Sequence, residues 1–161
     1  MKTSPKFWCV VPAAGVGARM KASVPKQYLN LAGKTILDRT LERLVSYSKL
    51  EQVVVAVSSN DLHWPKLEMS RHTKVTSVVG GEQRSQSVLN GLRSIESIAD
   101  EQDWVLVHDA ARPCVRLSDI EKLVASVADS SVGGLLGCPV QDTIKRADGP
   151  YVVETVDRST L

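Results

Sequence analysis

The chain has 161 residues, 43% of them hydrophobic, which suits a single compact domain, residues 1–161, with a sizeable core. Lys and Arg number 20 against 18 Asp and Glu, a formal charge of +2 with no run of five like charges, which argues against a basic nucleic-acid arm or an acidic tail. The three cysteines, Cys9, Cys114 and Cys138, form no C-x-x-C and no Cys/His pair at zinc spacing, so a disulfide framework and a structural zinc are not expected and a reducing cytoplasm fits.

In chain order, Phe7–Val11 is a first strand, since its apolar stretch is too short for a signal-peptide core and no run approaches the length of a membrane span. Further short runs rich in Val, Leu and Trp lie at Gln52–Val57, Val75–Val79, Trp104–Val107 and Val132–Cys138, and several lack polar alternation, as strands covered on both faces do. Helical patterns lie between them. Thr35 caps a helix with Ile36, Leu37, Leu41, Leu44 and Val45 on one stripe and Asp38 completing a capping-box-like start. A second helix places Val88, Leu89, Leu92 and Ile95 on its inner face, and a third begins at about Ser118 as N-cap, with Ile120, Leu123, Val124 and Val127 inward. This alternation implies βαβ units in an α/β, doubly wound, mostly parallel sheet. Beyond Cys138 the pattern changes to a hairpin, Thr143–Lys145 and Tyr151–Val156 around Ala147-Asp148-Gly149-Pro150, within an arm of about 139–158. Cys9 and Cys138, inside expected strands, read as inert core residues; Cys114 has no activating His or Asp nearby.

Chemistry gathers at the strand ends. Pro12-Ala13-Ala14-Gly15-Val16-Gly17-Ala18-Arg19-Met20-Lys21, followed by Pro25-Lys26-Gln27-Tyr28, puts small residues directly after a buried strand and adds positive charge, as a nucleotide-phosphate loop requires. A dinucleotide fingerprint would need glycine where Met20 stands, and there is no Walker A G-K-[ST]. The glycines alone would equally suit a tight turn. His108-Asp109-Ala110-Ala111-Arg112-Pro113 closes a strand with a carboxylate placed to hold Mg²⁺ on a triphosphate, and Arg112 can grip a second phosphate; an Asp–Arg ion pair fixing a loop is the plainer alternative. Gly80-Gly81-Glu82-Gln83-Arg84-Ser85-Gln86-Ser87 leaves a strand straight into a helix, so its free backbone groups can read a base edge, although a plain turn would look similar.

Together, P-A-A-G-x-G-x-R-M with P-K-Q-Y, G-G-x-x-R-x-x-S, H-D-A-A-R-P and D-T-I-K-R closely resemble the 2-C-methyl-D-erythritol 4-phosphate cytidylyltransferases of the non-mevalonate isoprenoid pathway, over nearly the whole chain. The resemblance implies a Rossmann-like nucleotidyltransferase fold and transfer of a cytidylyl group from CTP to methylerythritol phosphate, giving 4-diphosphocytidyl-2-C-methyl-D-erythritol and pyrophosphate with Mg²⁺ as cofactor. By position it implies Ala13, Ala14, Gly15 and Gly17 along the triphosphate, with Arg19 and Lys26 as cationic catalytic residues. It places Gly81, Glu82, Ser87 and Ala110 on the cytidine, Asp109 at the metal, and Asp109, Arg112, Thr143 and Arg158 toward the second substrate. The hairpin looks like the family's dimer arm, carrying Arg158 as a catalytic residue into the neighbour's site of a homodimer.

Two features depart from the pattern. Glu82 stands where the family often has Asp, and the sequence stops at Leu161, whereas the family continues with a further helix, strand and second-substrate lysine; a C-terminal part of the family's chain is expected to be missing. The expected mechanism is in-line attack by an already ionised phosphate on the CTP α-phosphorus, without a covalent intermediate or general base. Ribitol 5-phosphate as acceptor and a CTP-binding domain without turnover are the alternatives. A nicotinamide dehydrogenase should show the third glycine and a ribose-binding acid about 20 residues on, and Asp38 near that place reads as helix capping.

Overall fold

A computed structural model of the chain describes residues 5–15, 24–128, 130–159 and 161. It divides into two compact units, residues 1–117 and 118–161.

The first unit is built on a four-stranded parallel sheet. Its strands are β1 (Phe7–Pro12), β4 (Leu50–Val57), β5 (Val75–Val79) and β6 (Trp104–Val107), in the spatial order β5-β4-β1-β6. Each lies within two residues of its sequence-predicted bounds; the central β1 and β4 are buried on both faces as their Val-rich runs imply, whereas the edge strands β5 and β6 are only partly covered, with Val79 and Val107 exposed. A two-residue ribbon, β2 (Asn30–Leu31) with β3 (Lys34–Thr35), was not expected; it leads into α1 (Ile36–Val45). Thr35 caps α1 as expected, its Oγ1 accepting the Asp38 N–H at 3.0 Å and donating back to the Asp38 carboxylate at 2.9 Å. The chain moves from β1 outward to β4 and β5, then crosses back through α2 (Arg84–Ile95) to β6 on the other side of β1. Because such crossovers are right-handed, reversing direction at β1 puts α1 and α2 on opposite faces and opens a crevice at the carboxyl ends of β1 and β6. The side chains agree: Trp8, Val54 and Ile95 form one buried cluster with Val78 and Val105 against it, while Cys9, Val11, Val53 and Val55 alternate to the other face.

The inner face of α2 differs from expectation. Ser87, Gly91 and Ile95 point inward, Val88 is half-buried, and Leu89 and Leu92 are exposed. The helix meets the sheet through Gly91, where a Cβ would lie 2.5 Å from Val10 Cγ1. Fit to Val10 therefore decides the rotation of α2, and two leucines are left outside.

Helix α3, Leu117–Val127, belongs to the second unit from Ser118 on and starts one residue earlier than expected, so Ser118 lies inside the first turn instead of capping it; Ile120 and Val124 are buried. Val132–Cys138 forms no strand. Gly133, Gly134 and Gly137 interrupt it, and the Ser130 hydroxyl accepts the N–H groups of Val132 and Gly133 at 3.2 and 3.0 Å, a local turn that competes with extended pairing. Val132 is 94% and Leu135 85% exposed, and Cys138 is an exposed thiol, not a core residue. The hairpin is present as β7 (Ile144–Asp148) and β8 (Tyr151–Val156), pairing Ile144 with Val156 and Asp148 with Tyr151. Ala147 and Asp148 belong to the strand, so the turn is the two residues Gly149-Pro150.

Candidate active site

The sheet register brings three loops to one end. Past β1 the Ala13 N–H donates to the Ala56 carbonyl at 2.7 Å, past β5 the Gly80 N–H donates to the Val57 carbonyl at 2.7 Å, and past β6 the His108 N–H donates to the Val10 carbonyl at 3.0 Å. These bonds extend the ladder by one step before the chains splay into loops, so all three loops leave from the same height. Between them lies a cleft of about 290 Å³.

Ala13, Ala14, Gly15, Lys26, Gly81, Glu82, Ser87, Asp109 and Ala110, all candidates from the sequence, line this one cleft. The approach of its walls depends on Gly80, where a Cβ would lie 2.6 Å from the Ala14 Cβ and 2.8 Å from the Ser87 Oγ. Ser87 is buried on the first turns of α2, and its hydroxyl accepts the Gly81 N–H at 3.1 Å, which orders the glycine turn. On the β6 side the buried Thr40 hydroxyl, on α1, shares its one proton between the Ala110 carbonyl at 3.0 Å and the Ile36 carbonyl at 2.9 Å. Lys26 opens a 3-10 turn, Lys26–Tyr28, and is exposed to the cleft. Tyr28 anchors that turn by donating to the Asp61 carboxylate at 2.6 Å and stacking on His63 at a centroid distance of 4.8 Å; burial and then Asp61 raise the Tyr28 pKa and keep the phenol protonated.

Asp109 stands between two guanidiniums, with Arg84 Nη2 2.9 Å from its Oδ1 and Arg112 Nε 2.9 Å from its Oδ2. Partial burial opposes ionisation, but the two arginines outweigh it and hold the carboxyl below the usual carboxylate range. The Asp–Arg pair that the sequence left as the plainer alternative is therefore present. Arg84 was not singled out from the sequence, since its partner lies 25 residues away. Arg112 bonds Asp109 but does not line the cleft. Burial lowers the pKa of His108, whose buried Nδ1 has no hydrogen-bond partner among the described residues, so the ring is neutral near pH 7. Cys9, fully buried, has its thiol pushed up to about 12 and is inert.

Thr143 and Arg158 belong to the second unit and flank the open end of the hairpin; the Arg158 guanidinium donates to the Gln141 carbonyl. Gly17 and Arg19 lie outside the described residues. Among the described residues no group of three His, Cys, Asp or Glu could hold a metal by itself. A cleft walled largely by backbone and small side chains, with Lys26 and Arg84 on two sides and the ionised Asp109 held between arginines, suits a polyphosphate.

The family model described as 2-C-methyl-D-erythritol 4-phosphate cytidylyltransferase matches residues 7–161. The chain belongs to this family. It is thus a nucleotidyltransferase of the cytidylyltransferase kind, and the doubly wound sheet is the family's fold. The cytidylyltransferase of that name from Pseudomonas putida strain GB-1 is 49% identical over 163 residues, covering 100% of this chain and 69% of that protein. The one from Vibrio atlanticus strain LGP32 is 51% identical over 154 residues, covering 94% of this chain and 65% of that protein. A crystal structure of 4-diphosphocytidyl-2C-methyl-D-erythritol synthase superposes with a TM-score of 0.85 at 33% identity, over 99% of this chain and 72% of that one. This cytidylyltransferase chain therefore spans roughly two thirds to three quarters of the length of these relatives. None of these likenesses favours the ribitol 5-phosphate or nicotinamide alternatives.

Proposed function

We propose that the cleft binds CTP and that the protein transfers its cytidylyl group to 2-C-methyl-D-erythritol 4-phosphate, releasing pyrophosphate in isoprenoid precursor formation. The observation that carries this is the convergence of the three strand-end loops, with Lys26 on one side and Arg84–Asp109 on the other, in a chain of this family. Ala13, Ala14 and Gly15 would lie along the triphosphate, with Gly17 beside them, and Gly81, Glu82, Ser87 and Ala110 around the cytidine. Arg112, Thr143 and Arg158 would serve the second substrate, together with Asp109.

The donor set fits a divalent cation. Asp109 is one ionised, hard carboxylate at the edge of a polyphosphate cleft, and Mg²⁺ is usually held by one or two carboxylates with phosphate oxygens completing its shell. Asp109 would hold the ion, which when bound supplies charge neutralisation on the phosphates. For the residues, the task is placement. A phosphate oxygen of the acceptor forms a bond to the CTP α-phosphorus as the bond to the β-phosphate bridging oxygen breaks, and pyrophosphate carries away the electron pair. The attacking oxygen is already ionised, so no proton moves and no base is needed. Lys26 and Arg19 stabilise the charge that builds on the equatorial oxygens; one such preplaced donor is worth roughly 3 kcal/mol, or about a hundredfold in rate.

The hairpin would pair with a second copy of the chain. Tyr151, Val152 and Val153 are all exposed on β8, and an isolated two-stranded hairpin is marginal in water, so a homodimer would give it a partner surface. No helix among the described residues is long and apolar enough to cross a membrane, and the sequence carries no run of five like charges of the kind a nucleic-acid arm would have; the expected setting is the cytoplasm. Calorimetry with CTP, ATP and NAD, each with and without Mg²⁺, tests the assignment, followed by pyrophosphate release with methylerythritol phosphate. CTP should bind best, with Mg²⁺, and Lys26→Ala should leave the fold intact while reducing turnover about a hundredfold. Equal affinity for the three nucleotides would overturn the assignment.

A further inference from the structure

Gln27 is a polar side chain only 3% exposed, an unusual burial for glutamine, and both of its good bonds go to the same loop. Its Nε2 donates to the Ala13 carbonyl at 2.8 Å and to the Gly15 carbonyl at 3.2 Å. An amide nitrogen carries two protons, so both bonds can be made at once. In a trans peptide the N–H points opposite to the C=O. Drawing the Ala13 carbonyl onto Gln27 therefore turns the Ala14 N–H the other way, and that N–H has no protein partner among the described residues. Two carbonyls left free at this place would present negative dipoles to a triphosphate. Gln27 is also the neighbour of Lys26 in the 3-10 turn anchored through Tyr28 and Asp61. One side chain thus couples the loop after β1 to the segment that carries the cleft's lysine.

We propose that Gln27 is a positioning residue of the nucleotide site: by holding the Ala13 and Gly15 carbonyls it keeps the Ala14 N–H turned toward the triphosphate and fixes Lys26 in register with it. The proposal rests on the assignment of CTP to this cleft. Gln27 does not touch the substrate in this role; it acts through Ala13, Gly15 and Lys26.

The test uses two variants of the whole chain. Gln27→Met keeps the length and volume and removes both donors. Gln27→Glu keeps the shape and puts acceptors where donors were. Calorimetry should show CTP affinity about tenfold or more lower for Gln27→Met and lower still for Gln27→Glu, because the loop must turn its carbonyls away from a carboxylate. NMR titration with cytidine, which has no phosphates, should give affinities within twofold of the unaltered chain. A merely structural role would lower CTP and cytidine binding by the same factor, and that result overturns the proposal. So does CTP binding within twofold in Gln27→Met. If neither variant folds, the unaltered chain decides: the Gln27 side-chain amide protons should stay slow to exchange when CTP is added, and their loss of protection overturns the proposal. Absence of CTP binding by the unaltered chain would instead overturn the nucleotide assignment and this role with it.

Discussion

Gly80→Ala tests how the walls of the cleft meet. The new methyl would sit 2.6 Å from the Ala14 Cβ and 2.8 Å from the Ser87 Oγ. Carbon atoms in good contact are about 3.5–4.0 Å apart, so the loop after β1 and the turn after β5 must separate by about 1 Å. Ala14 has no rotamer to yield, and the Ser87 hydroxyl is held by the Gly81 N–H. The strain of such overpacking costs about 1–3 kcal/mol, against about 0.4–1 kcal/mol gained from a less flexible unfolded chain, because the Gly80 backbone is one that alanine adopts freely. Overpacking wins. Urea melts should show a loss of about 1–2 kcal/mol, and a displacement of about 1 Å between groups that grip one ligand should weaken CTP binding about tenfold or more. Ala14→Gly added to Gly80→Ala removes one of the two opposing groups, leaving Ser87, and should recover part of both losses. A folded Gly80→Ala chain that binds CTP within twofold of the original would show that the two loops do not clasp one ligand.

Three further outcomes follow from the site. Thr40→Val leaves the Ala110 carbonyl without its hydroxyl donor in a buried place and should cost about 1–3 kcal/mol in urea unfolding, whereas Thr40→Ser should keep CTP affinity. Arg84→Gln should raise the Asp109 pKa toward the ordinary value, read from its carboxyl ¹³C shift; an unmoved midpoint would mean that Arg112 alone holds it. Because the folded pKa of Asp109 is depressed, the stability from its pairs is full above the unfolded value of about 3.9 and is lost as pH falls through the lower folded value. His108 should titrate below about 6.5 by NMR, since burial disfavours its charged form; the unfolded chain then binds more protons, so stability falls as pH drops through that window, and His108→Gln should flatten the slope.

The central strands were legible because burial on both faces leaves its mark on nearly every residue, whereas β5 and β6 were legible from their Val and Trp content while lying half-exposed at the edges. Val53, Val54, Val55 and Ala56 are all buried, and the run of valines says so without alternation. The same composition misled at Val132–Cys138, where the turn made by Ser130 and the interspersed glycines prevails over the β-preference of Val and Leu. On α2 the error was one of rotation. Leu89 and Leu92 look like a buried stripe, yet the face that meets Val10 is Ser87, Gly91 and Ile95, chosen by shape.

For the site, motif residues were legible as members of loops that leave the sheet at one end, since strand order alone brings those loops together. What could not be read was which side chains hold the loops in place. Gln27 reaches back 14 and 12 residues to Ala13 and Gly15, Arg84 reaches 25 residues to Asp109, and Thr40 reaches 70 residues to Ala110. Each is a polar group making a bond whose partner is fixed only after the sheet has formed, so neither periodicity nor spacing records it. Each also grips a loop that a polyphosphate would approach, and such a ligand needs donors already aimed at it, because reorienting dipoles on binding would consume the energy that binding supplies. On that ground the cost of removing Gln27 or Thr40 should appear in affinity for a charged ligand at least as clearly as in stability, which separates a residue that shapes the site from one that merely fills the core.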